Sequence, residues 1–422
     1  MAEGGALRAY VLHPDLKADR SRRTPEHGLA EAVALAQAMP DLDIAGAEVV
    51  RVPRISPATL FGSGKVAELK DRFATLDIGL VLVDGPVSPV QQRNLEKEWG
   101  LKLLDRTGLI LEIFADRART REGVMQVDLA ALSYQRTRLV RAWTHLERQR
   151  GGFGFVGGPG ETQIEADRRA IDEQVLKLKR QLERVVKTRE LHRAARKKVP
   201  FPVVALVGYT NAGKSTLFNR MTGAEVLAKD MLFATLDPTM RGVVLPSGRK
   251  VILSDTVGFI SDLPPQLVAA FRATLEEVLE ADLILHVRDI SHPETAEQAA
   301  DVATILTSLG VRREVPQLEV WNKIDLTSGE TRASLETQAA RSETIIALSA
   351  LTGEGLPRLL DLVSDLLGEE TTERTFILPF SEGRRRAWLH DQGVVLAETQ
   401  GEEGYTLTVR WTARQEKRYR EL

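Results

Sequence analysis

The sequence predicts an α/β fold with two strand–helix domains, a long α-helical hairpin arm and a small α+β domain at the C-terminus. Short apolar runs alternate with helical patterns near the N-terminus and again in the second half of the chain, as in parallel α/β sheets. Between these regions lie two charged helical patterns almost free of glycine and proline, which indicate long helices. A chain of 422 residues has room for about three such domains or more.

Residues 1–116 are predicted to form the first α/β domain. Strand and helix patterns alternate in the order LRAYVLH, HGLAEAVALAQAM, AEVVRV, GKVAELKDRFATL, IGLVLVD, PVQQRNLEKEW and LKLLD, and a last helical stretch ends near Arg117. Because strands that alternate with helices along a chain usually pair in parallel, we expect a small parallel sheet here.

Residues 117–199 are predicted to form the helical hairpin arm. Helical patterns run over about 126–149 and 161–198, and the segment GGFGFVGGPG between them is too rich in glycine to be helical. Counted over 117–198, there are 20 lysines and arginines and 10 acidic residues. This basic excess is typical of a surface that binds a polyphosphate, and it is also typical of a solvated helix face, so both interpretations stay open.

Residues 200–368 are predicted to form the second, larger α/β domain, and residues 369–422 the small C-terminal domain. Pro200 and Pro202 end the arm, and the apolar run VVALVG opens a second alternation of strands and helices. After the predicted linker GEETTERT, we expect the strand FILPF, the helix GRRRAWLHDQ, the strands VVLAETQ and YTLTVRW, and a charged terminal helix.

Composition excludes several classes of protein. Hydrophobic residues make up 43% and charged residues 27% of the chain, which is typical of folded globular domains. Cysteine is absent, so disulfides, thiolate metal sites and cysteine nucleophiles are excluded. No apolar run reaches the roughly 18–20 residues that span a bilayer, and the N-terminus lacks a signal-peptide layout. We therefore expect a cytoplasmic protein without transmembrane insertion.

A phosphate-binding loop, the P-loop, follows VVALVG and precedes the helical run STLFNRM. Gly208 and Gly213 allow the backbone to wrap closely around phosphates, so that amide groups and the helix N-terminus face negative charge. We expect Lys214 to reach the β- and γ-phosphates, Ser215 to bind Mg²⁺ and Thr216 to contact the α-phosphate. The predicted phosphate-binding residues are Gly208, Tyr209, Thr210, Asn211, Ala212, Gly213, Lys214, Ser215 and Thr216.

A second motif, DTVG, comes directly after the strand VILS. Its carboxylate, Asp255, stands at the carboxyl end of a strand and can hold the coordination shell of Mg²⁺. Gly258 can donate its amide hydrogen to the γ-phosphate, and Thr256 and Val257 complete the predicted nucleotide-binding segment. By itself, DTVG is also compatible with an ordinary connection from a strand to a turn.

Two further motifs predict that the nucleotide carries guanine. NKID follows the strand QLEVW, and Asp325 can accept hydrogen bonds from the guanine N1–H and 2-amino groups, which adenine lacks. Asn322 can bond the N7 side, and the stem of Lys323 can cover the ring. The tripeptide after TIIAL is expected to face guanine O6 with its backbone amides, and it consists of Ser349, Ala350 and Leu351.

The order of these motifs over residues 200–367 resembles the translation-factor-related GTPases. FATLDPT at 233–239 resembles switch I of the Obg–HflX group, in which the threonine that matches Thr235 binds Mg²⁺ when the γ-phosphate is present. Upstream segments are similar to the HflX family, and they are FGSGK at 61–65, DRT at 105–107, RARTREG at 117–123 and GPGETQ at 158–163.

The resemblance implies a P-loop GTPase that uses GTP, GDP and Mg²⁺ and associates with the large ribosomal subunit and its RNA. It implies a role in splitting or rescuing ribosomes or in subunit maturation. We expect a monomer that binds no DNA. The residues expected to act in hydrolysis are Lys214, Thr235 and Gly258, and those expected to bind the metal are Ser215, Thr235 and Asp255.

Two alternatives to a catalytic ribosomal GTPase stay open. One is a nucleotide-driven RNA remodeller with a second nucleotide site near Lys65, because a glycine turn and a lysine at a helix start can bind an anion. This segment lacks the eight-residue spacing of a P-loop, so a structural or RNA-contacting turn is the competing interpretation. The other alternative is a GTP-dependent binding switch with negligible turnover.

Some further positions are noted, and two of them, the glycine-rich tip and Arg288, depart from the family pattern. Phe259 follows DTVG where Ras-like switches place a glutamine that orients water, so we expect slow hydrolysis that a partner accelerates. Asn211 resembles the asparagine that helps to hold K⁺ in several related GTPases, and it is also typical of a turn. The glycine-rich tip lacks a basic residue, which makes stacking through Phe153 or Phe155 the natural mode of RNA contact. Arg288 is assigned no role.

Overall fold

The structure, a computed structural model, divides into two compact units, Met1–Asp361 and Leu362–Leu422. The bounds of the four domains expected from the sequence stay predictions. Phe153 and Phe155 of the tip and Asp237 of FATLDPT lie outside the described residues. The structure describes residues 6–16, 24–149, 159–196, 201–224, 232–236, 238–261, 263, 267, 276–312, 314–368 and 371–420.

The first unit opens with four strands and four helices that alternate along the chain. They are β1 (Leu7–Leu16), α1 (Pro25–Gln37), β2 (Leu42–Val52), α2 (Ser63–Thr75), β3 (Leu80–Val83), α3 (Pro89–Trp99), β4 (Lys102–Asp105) and α4 (Arg106–Arg117). The strands pair in parallel in the order β2-β1-β3-β4. This confirms the parallel α/β fold predicted for the N-terminal region.

Local side chains fix where two of these helices begin. Thr24 accepts a hydrogen bond from the His27 amide, with Pro25 at the start of α1. Ser88 and Gln91 form a capping box at the start of α3. Because the first amides of a helix have no partner within the helix, these caps determine the helix boundaries.

Side chains of β1 alternate between two hydrophobic layers, because successive residues of a strand point to opposite faces. Val11 packs in the layer that contains Leu35 of α1. Leu12 packs in the opposite layer with Phe73 of α2 and Trp99 of α3, whose ring centroids lie 5.1 Å apart in an edge-to-face contact. Helices therefore cover both faces of the sheet.

The hairpin arm consists of α5 (Arg121–Gln149) and α6 (Pro159–Arg196), which confirms the predicted long helices. Helix α5 begins earlier than expected because Thr120 accepts a hydrogen bond from the Gly123 amide at 3.0 Å. Arg136 of α5 pairs with Asp172 of α6 at an Nε–Oδ1 distance of 2.7 Å. Neither arm helix, nor any other helix in the described part of the chain, is long and apolar enough to cross a membrane.

A second sheet has six strands in the order β10-β9-β8-β5-β7-β6, and all neighbours are parallel except β6 and β7. The carboxyl ends of its parallel strands meet at one edge, where the predicted motifs follow them. The strands are β5 (Val203–Gly208), β6 (Thr239–Val244), β7 (Lys250–Asp255), β8 (Leu283–Asp289), β9 (Gln317–Asn322) and β10 (Ile345–Ala347). The helices are α7 (Lys214–Thr222), α8 (Glu276–Leu279), α9 (Thr295–Leu309), α10 (Gly329–Ala340) and α11 (Leu356–Leu366).

The second unit confirms the predicted small α+β domain, with two corrections. Residues 371–375 of the predicted linker belong to a strand, because they pair with the antiparallel strand β13. The predicted strand FILPF ends at Leu378, because Pro379 has no amide hydrogen to donate and a short 3₁₀ turn follows it. The elements are β11 (Thr371–Leu378), α12 (Gly383–Asp391), β12 (Val395–Gln400), β13 (Tyr405–Thr412) and α13 (Ala413–Arg420), with sheet order β11-β13-β12.

A buried guanidinium joins the N-terminal sheet to loops of the second sheet. Arg106 donates to Asp84 and Glu31 at 2.5 Å each and to the backbone oxygen of Ser261 at 2.9 Å. Tyr209 donates to Glu31 and accepts from the Ser261 amide at 2.7 Å. Burial by itself would lower the pKa of Arg106, but the charges of Asp84 and Glu31 outweigh burial and raise this pKa.

We predict that Arg106→Met strongly destabilises the first unit. The change leaves the buried carboxylate of Asp84 and the partly buried one of Glu31 without this cation, and removing one side of a buried ion pair costs roughly 3–5 kcal/mol. Native-state hydrogen exchange at the amides of α4 measures the free energy of opening. Arg8→Met is the control, because Arg8 and Asp43 form an exposed ion pair 3.7 Å apart whose loss should barely change exchange. Equal protection in both variants would contradict this prediction.

Candidate functional site

The P-loop connects β5 to α7 at the carboxyl edge of the second sheet. Gly213 has a φ of +93°, and a Cβ added there would lie 2.2 Å from Asn322 Nδ2, so the turn requires glycine. Asn211 has a φ of +59°, which asparagine tolerates better than most residues. The loop lines a pocket whose wall consists of Thr210, Asn211, Gly213, Lys214, Ser215, Thr216, Phe233, Ala234, Thr235, Thr256 and Gly258.

Lys214 is the buried cation of this pocket. Its ammonium donates hydrogen bonds to the backbone oxygens of Gly208 and Tyr209 at 3.0 and 2.7 Å. Burial lowers the pKa of Lys214 to about 8, although the charge of Asp255 acts in the opposite direction. Because desolvation opposes the charged form, an anion that approaches this lysine would raise its pKa again.

The structure brings together the three residues expected to bind a metal. Ser215 Oγ and Thr235 Oγ1 donate to Asp255 Oδ2 at 2.7 and 3.0 Å, and the two hydroxyl oxygens lie 2.9 Å apart. Asp255 Oδ1 is buried and has no hydrogen-bond partner among the described residues, and burial raises the pKa of this carboxyl. Oxygen ligands suit Mg²⁺, and a cation would satisfy the unpaired carboxylate oxygen, so these residues fit the metal.

The DTVG segment contacts both β5 and the P-loop. Thr256 Oγ1 donates to the backbone oxygen of Leu206 at 2.6 Å, so this hydroxyl joins β7 to β5, and Val257 is buried. Gly258 lies so close to the P-loop that an added Cβ would be 2.8 Å from Thr210 Cγ2 and 3.0 Å from Lys214 Nζ. Only glycine allows this approach of the two loops.

Asn322 joins three loops, a role that the sequence did not indicate. Its Nδ2 donates to the backbone oxygen of Ala212 at 2.8 Å, and its Oδ1 accepts from the Ala350 amide at 2.9 Å. The side chain therefore holds the loop after β10 against the P-loop. Because the side-chain amide carries a second N–H, the expected contact with guanine N7 stays a prediction.

Two charged side chains stand at the end of β9, where the base is expected. Asp325 Oδ1 is buried without a hydrogen-bond partner in the described part of the chain. Lys323 Nζ forms an ion pair with Asp289 Oδ2 at 2.8 Å, and its backbone has a φ of +66°. A buried carboxylate oxygen without a donor is costly, and the N1–H or 2-amino group of guanine would satisfy it.

The tripeptide after β10 corrects one expectation. The Ser349 amide donates to the backbone oxygen of Glu354 at 3.0 Å, and the Ala350 amide donates to Asn322. These two amides are thus used within the protein and do not face a base. Leu351 is exposed and its carbonyl accepts from Arg220 at 2.5 Å, so its amide is the remaining candidate for contact with O6.

Two phenylalanines around the pocket are buried, and the sequence did not reveal their contacts. Phe233, close to Thr235 in the chain, has a φ of +56° and packs edge to face against Phe114 of α4, with ring centroids 4.7 Å apart. Phe259 is fully buried, and its backbone oxygen accepts from the Thr210 amide at 2.7 Å. No local pattern pairs Phe114 with Phe233, because they come from separate elements distant in the chain.

Two other residues noted in the sequence form ion pairs. Lys65 Nζ lies 2.9 Å from Glu68 and 3.3 Å from Glu48, so its charge is already paired with carboxylates. This pairing does not favour a second nucleotide site. Arg288, which had no assigned role, pairs with Glu319 at 2.5 Å across β8 and β9.

Four family models match the chain from the N-terminal sheet to the C-terminal unit. A model of the N-terminal region of GTP-binding GTPases matches residues 26–115, and a model of their middle region matches 117–196. A model described as a 50S ribosome-binding GTPase matches 203–323, and the HflX C-terminal domain matches 334–421.

Proteins named GTPase HflX are similar over most of the chain. The protein from Magnetococcus marinus is 51% identical over 404 residues, which cover 96% of this chain and 91% of that protein. The proteins from Escherichia coli and Caldanaerobacter subterraneus are each 45% identical, over 82% and 89% of this chain and over 81% and 87% of their own lengths. The chain therefore belongs to the HflX family of GTPases.

Proposed function

We propose that this chain binds GTP and Mg²⁺ and hydrolyses GTP to GDP and phosphate. One observation carries the proposal: at a single edge of the second sheet, a P-loop with a buried lysine meets two carboxylate oxygens that lack partners among the described residues. These oxygens belong to Asp255 and Asp325. One stands where a metal is expected and the other where guanine is expected, which matches the two halves of a GTP–Mg²⁺ complex.

The residues of this chain bind the phosphates and the metal, and these contacts also stabilise charge. Lys214 and the P-loop amides bind the β- and γ-phosphates, and the Gly258 amide donates to the γ-phosphate. Ser215, Thr235 and Asp255 hold Mg²⁺, which supplies positive charge to the phosphates when it is bound. Since phosphoryl transfer depends mainly on positioning and electrostatics, these contacts stabilise the charge that spreads over the γ-phosphoryl oxygens.

We propose that intrinsic hydrolysis is slow and that a partner accelerates it. Phe259 is buried, and a phenyl ring neither donates nor accepts the hydrogen bonds that orient water. We also propose that Asn211 helps to hold K⁺ near the phosphates. Its exposed position in the P-loop supports this role, while its positive φ supports the alternative of a turn residue.

The proposed partner is the large ribosomal subunit and its RNA, and the proposed role is ribosome splitting, rescue or subunit maturation. The family model described as a 50S ribosome-binding GTPase supports the partner. The arm supports contact with RNA, because 20 lysines and arginines accompany only 10 acidic residues over 117–198. The ion pairs of Lys65 weigh against the alternative of a remodeller with a second nucleotide site.

We predict that Asp325→Asn changes base preference from guanine to xanthine. Asparagine cannot accept both hydrogen bonds from guanine, but its amide can donate to the O2 that xanthine carries in place of the 2-amino group. The preference for GTP over xanthosine triphosphate should fall by roughly 10²–10³-fold, because the variant loses the buried carboxylate that accepts the two hydrogen bonds from guanine. A competition assay with both triphosphates measures this ratio. An unchanged preference for GTP would contradict the role of Asp325.

We predict that affinity for GTP falls as the pH rises above about 8. The phosphates favour the charged form of Lys214, so its pKa is higher in the complex than in the free protein, and binding takes up a proton once this lysine is neutral. The Kd should be constant near pH 7 and about tenfold weaker at pH 9. Lys214→Arg is the control, because arginine stays charged and its Kd should be flat over this range.

We predict that binding to large subunits weakens steeply with salt. Each neutralised phosphate adds close to one unit of slope in a plot of log affinity against log salt. Replacing exposed Lys177 and Arg180 of α6 by glutamate should reduce this slope, while the same change at exposed Arg312 and Arg341 should leave it unchanged. Co-sedimentation with a GTP analogue or GDP measures binding. If affinity for large subunits did not depend on salt, the basic residues of the arm would be a solvated helix face and not a phosphate-binding surface.

Parallel turnover assays complete this test. GTP hydrolysis is measured with and without large subunits, in potassium and in sodium. We expect large subunits to stimulate GTP hydrolysis. A higher rate in potassium than in sodium would support the proposal that Asn211 helps to hold K⁺. Fast hydrolysis in sodium without subunits would contradict the proposal that the site is incomplete, and negligible turnover under all conditions would favour the non-catalytic binding switch.

A further inference from the structure

One backbone amide in the loop after β10, residues 349–354, has no acceptor among the described residues. The other amides of this loop donate within the protein: Ser349 to the Glu354 oxygen at 3.0 Å, Ala350 to Asn322 Oδ1 at 2.9 Å, Thr352 to Ser349 Oγ at 3.1 Å, Gly353 to the Ser349 oxygen at 2.8 Å and Glu354 to Thr352 Oγ1 at 3.3 Å. The remaining amide is that of Leu351, an exposed residue. Because a backbone N–H needs an acceptor, this amide can bond a ligand in place of water.

The Leu351 amide lies between two points at which the loop is held. On its N-terminal side, the Ala350 amide is bonded to Asn322 Oδ1. On its C-terminal side, the backbone oxygen of Leu351 accepts a hydrogen bond from Arg220 Nη2 at 2.5 Å. Because each residue has only two soft backbone dihedrals, holding both ends of this dipeptide fixes the direction of the amide between them.

Arg220 belongs to the last turn of α7, the helix that begins at the P-loop. Its guanidinium also lies beside the turn at Gly353, where an added Cβ would be 3.5 Å from Nε and from Nη2. Arginine suits this contact because its guanidinium stays charged and offers five N–H donors. The helix that follows the phosphate-binding loop therefore also holds the loop after β10.

The loop after β10 adjoins the segment that is expected to bind the base. The Ile324 amide donates to the Leu348 oxygen at 3.3 Å, and Asp325, the proposed acceptor for guanine N1–H, follows Ile324. Guanine carries the acceptor O6 on the ring carbon next to N1. We infer that Arg220 positions the Leu351 amide to donate to O6, and thereby favours bases with an oxygen at C6. This inference rests on the proposed binding of GTP and adds a positioning residue for base selection.

Binding of three nucleoside diphosphates to Arg220→Met tests this inference. GDP carries O6 and the 2-amino group, inosine diphosphate carries O6 alone, and 2-aminopurine riboside diphosphate carries the 2-amino group without O6. We expect the Kd values for GDP and inosine diphosphate to rise by roughly threefold to tenfold, as for the loss of one hydrogen bond that competes with water. The Kd for 2-aminopurine riboside diphosphate should not change. Competition against labelled GDP measures all three values.

Two further variants serve as controls. Arg220→Lys keeps a charged donor, so its Kd values should lie closer to those of the wild type than the values of Arg220→Met do. Arg341→Met removes the same charge from an exposed arginine outside α7 and the loop, and it should leave all three Kd values unchanged.

The pattern across the three diphosphates separates selection of the base from support of the fold. Unchanged binding of GDP by Arg220→Met would overturn the inference. Equal weakening of all three diphosphates would also overturn it, because Arg220 would then support the whole pocket. Weaker binding of GDP alone would locate the effect at the 2-amino group, which again contradicts the inference. A wild type that binds 2-aminopurine riboside diphosphate as tightly as GDP would instead overturn the proposed recognition of guanine.

Discussion

The arrangement of the site depends on the buried guanidinium of Arg106. This group lies between the carboxylates of Asp84 and Glu31 and the backbone of Ser261, three residues after Gly258. A buried charge is costly unless it is paired and hydrogen-bonded. The loop that follows Gly258 therefore cannot move away from the N-terminal sheet unless this charge loses a partner or reaches water.

The N-terminal sheet uses its carboxyl edge for this contact. In open α/β sheets, that edge is the usual position of a bound ligand, at the point where the strand order reverses. Here Asp84 follows β3 and Arg106 follows β4, and Arg106 donates from this edge to Asp84 and to the backbone oxygen of Ser261. Phe114 makes a second contact, with Phe233, close in the chain to Thr235, which is proposed to bind the metal. The N-terminal sheet and its helices thus support both loops that flank the proposed γ-phosphate end of the pocket.

Local sequence signals were sufficient for the elements and the motifs, but not for the contacts between them. The alternation of strands and helices and the P-loop spacing depend on neighbours a few residues apart, so they could be read directly. Arg106 and Ser261 are 155 residues apart, and no local pattern indicates their contact. Asn322 was predicted as a base ligand by its motif, yet packing gives its amide two backbone partners first.

The three predicted nucleotide-binding motifs contain polar atoms that a protein selected for stability alone would pair. Asp255 Oδ1, Asp325 Oδ1 and Thr210 Oγ1 are buried without partners among the described residues, and each belongs to a different motif. Each such atom costs roughly 1–3 kcal/mol, which is a large share of a net stability of about 5–15 kcal/mol. With the proposed function, a bound metal and a bound guanine would satisfy the two carboxylate oxygens and remove their penalty. These atoms would then weaken the free chain and strengthen its binding of the nucleotide.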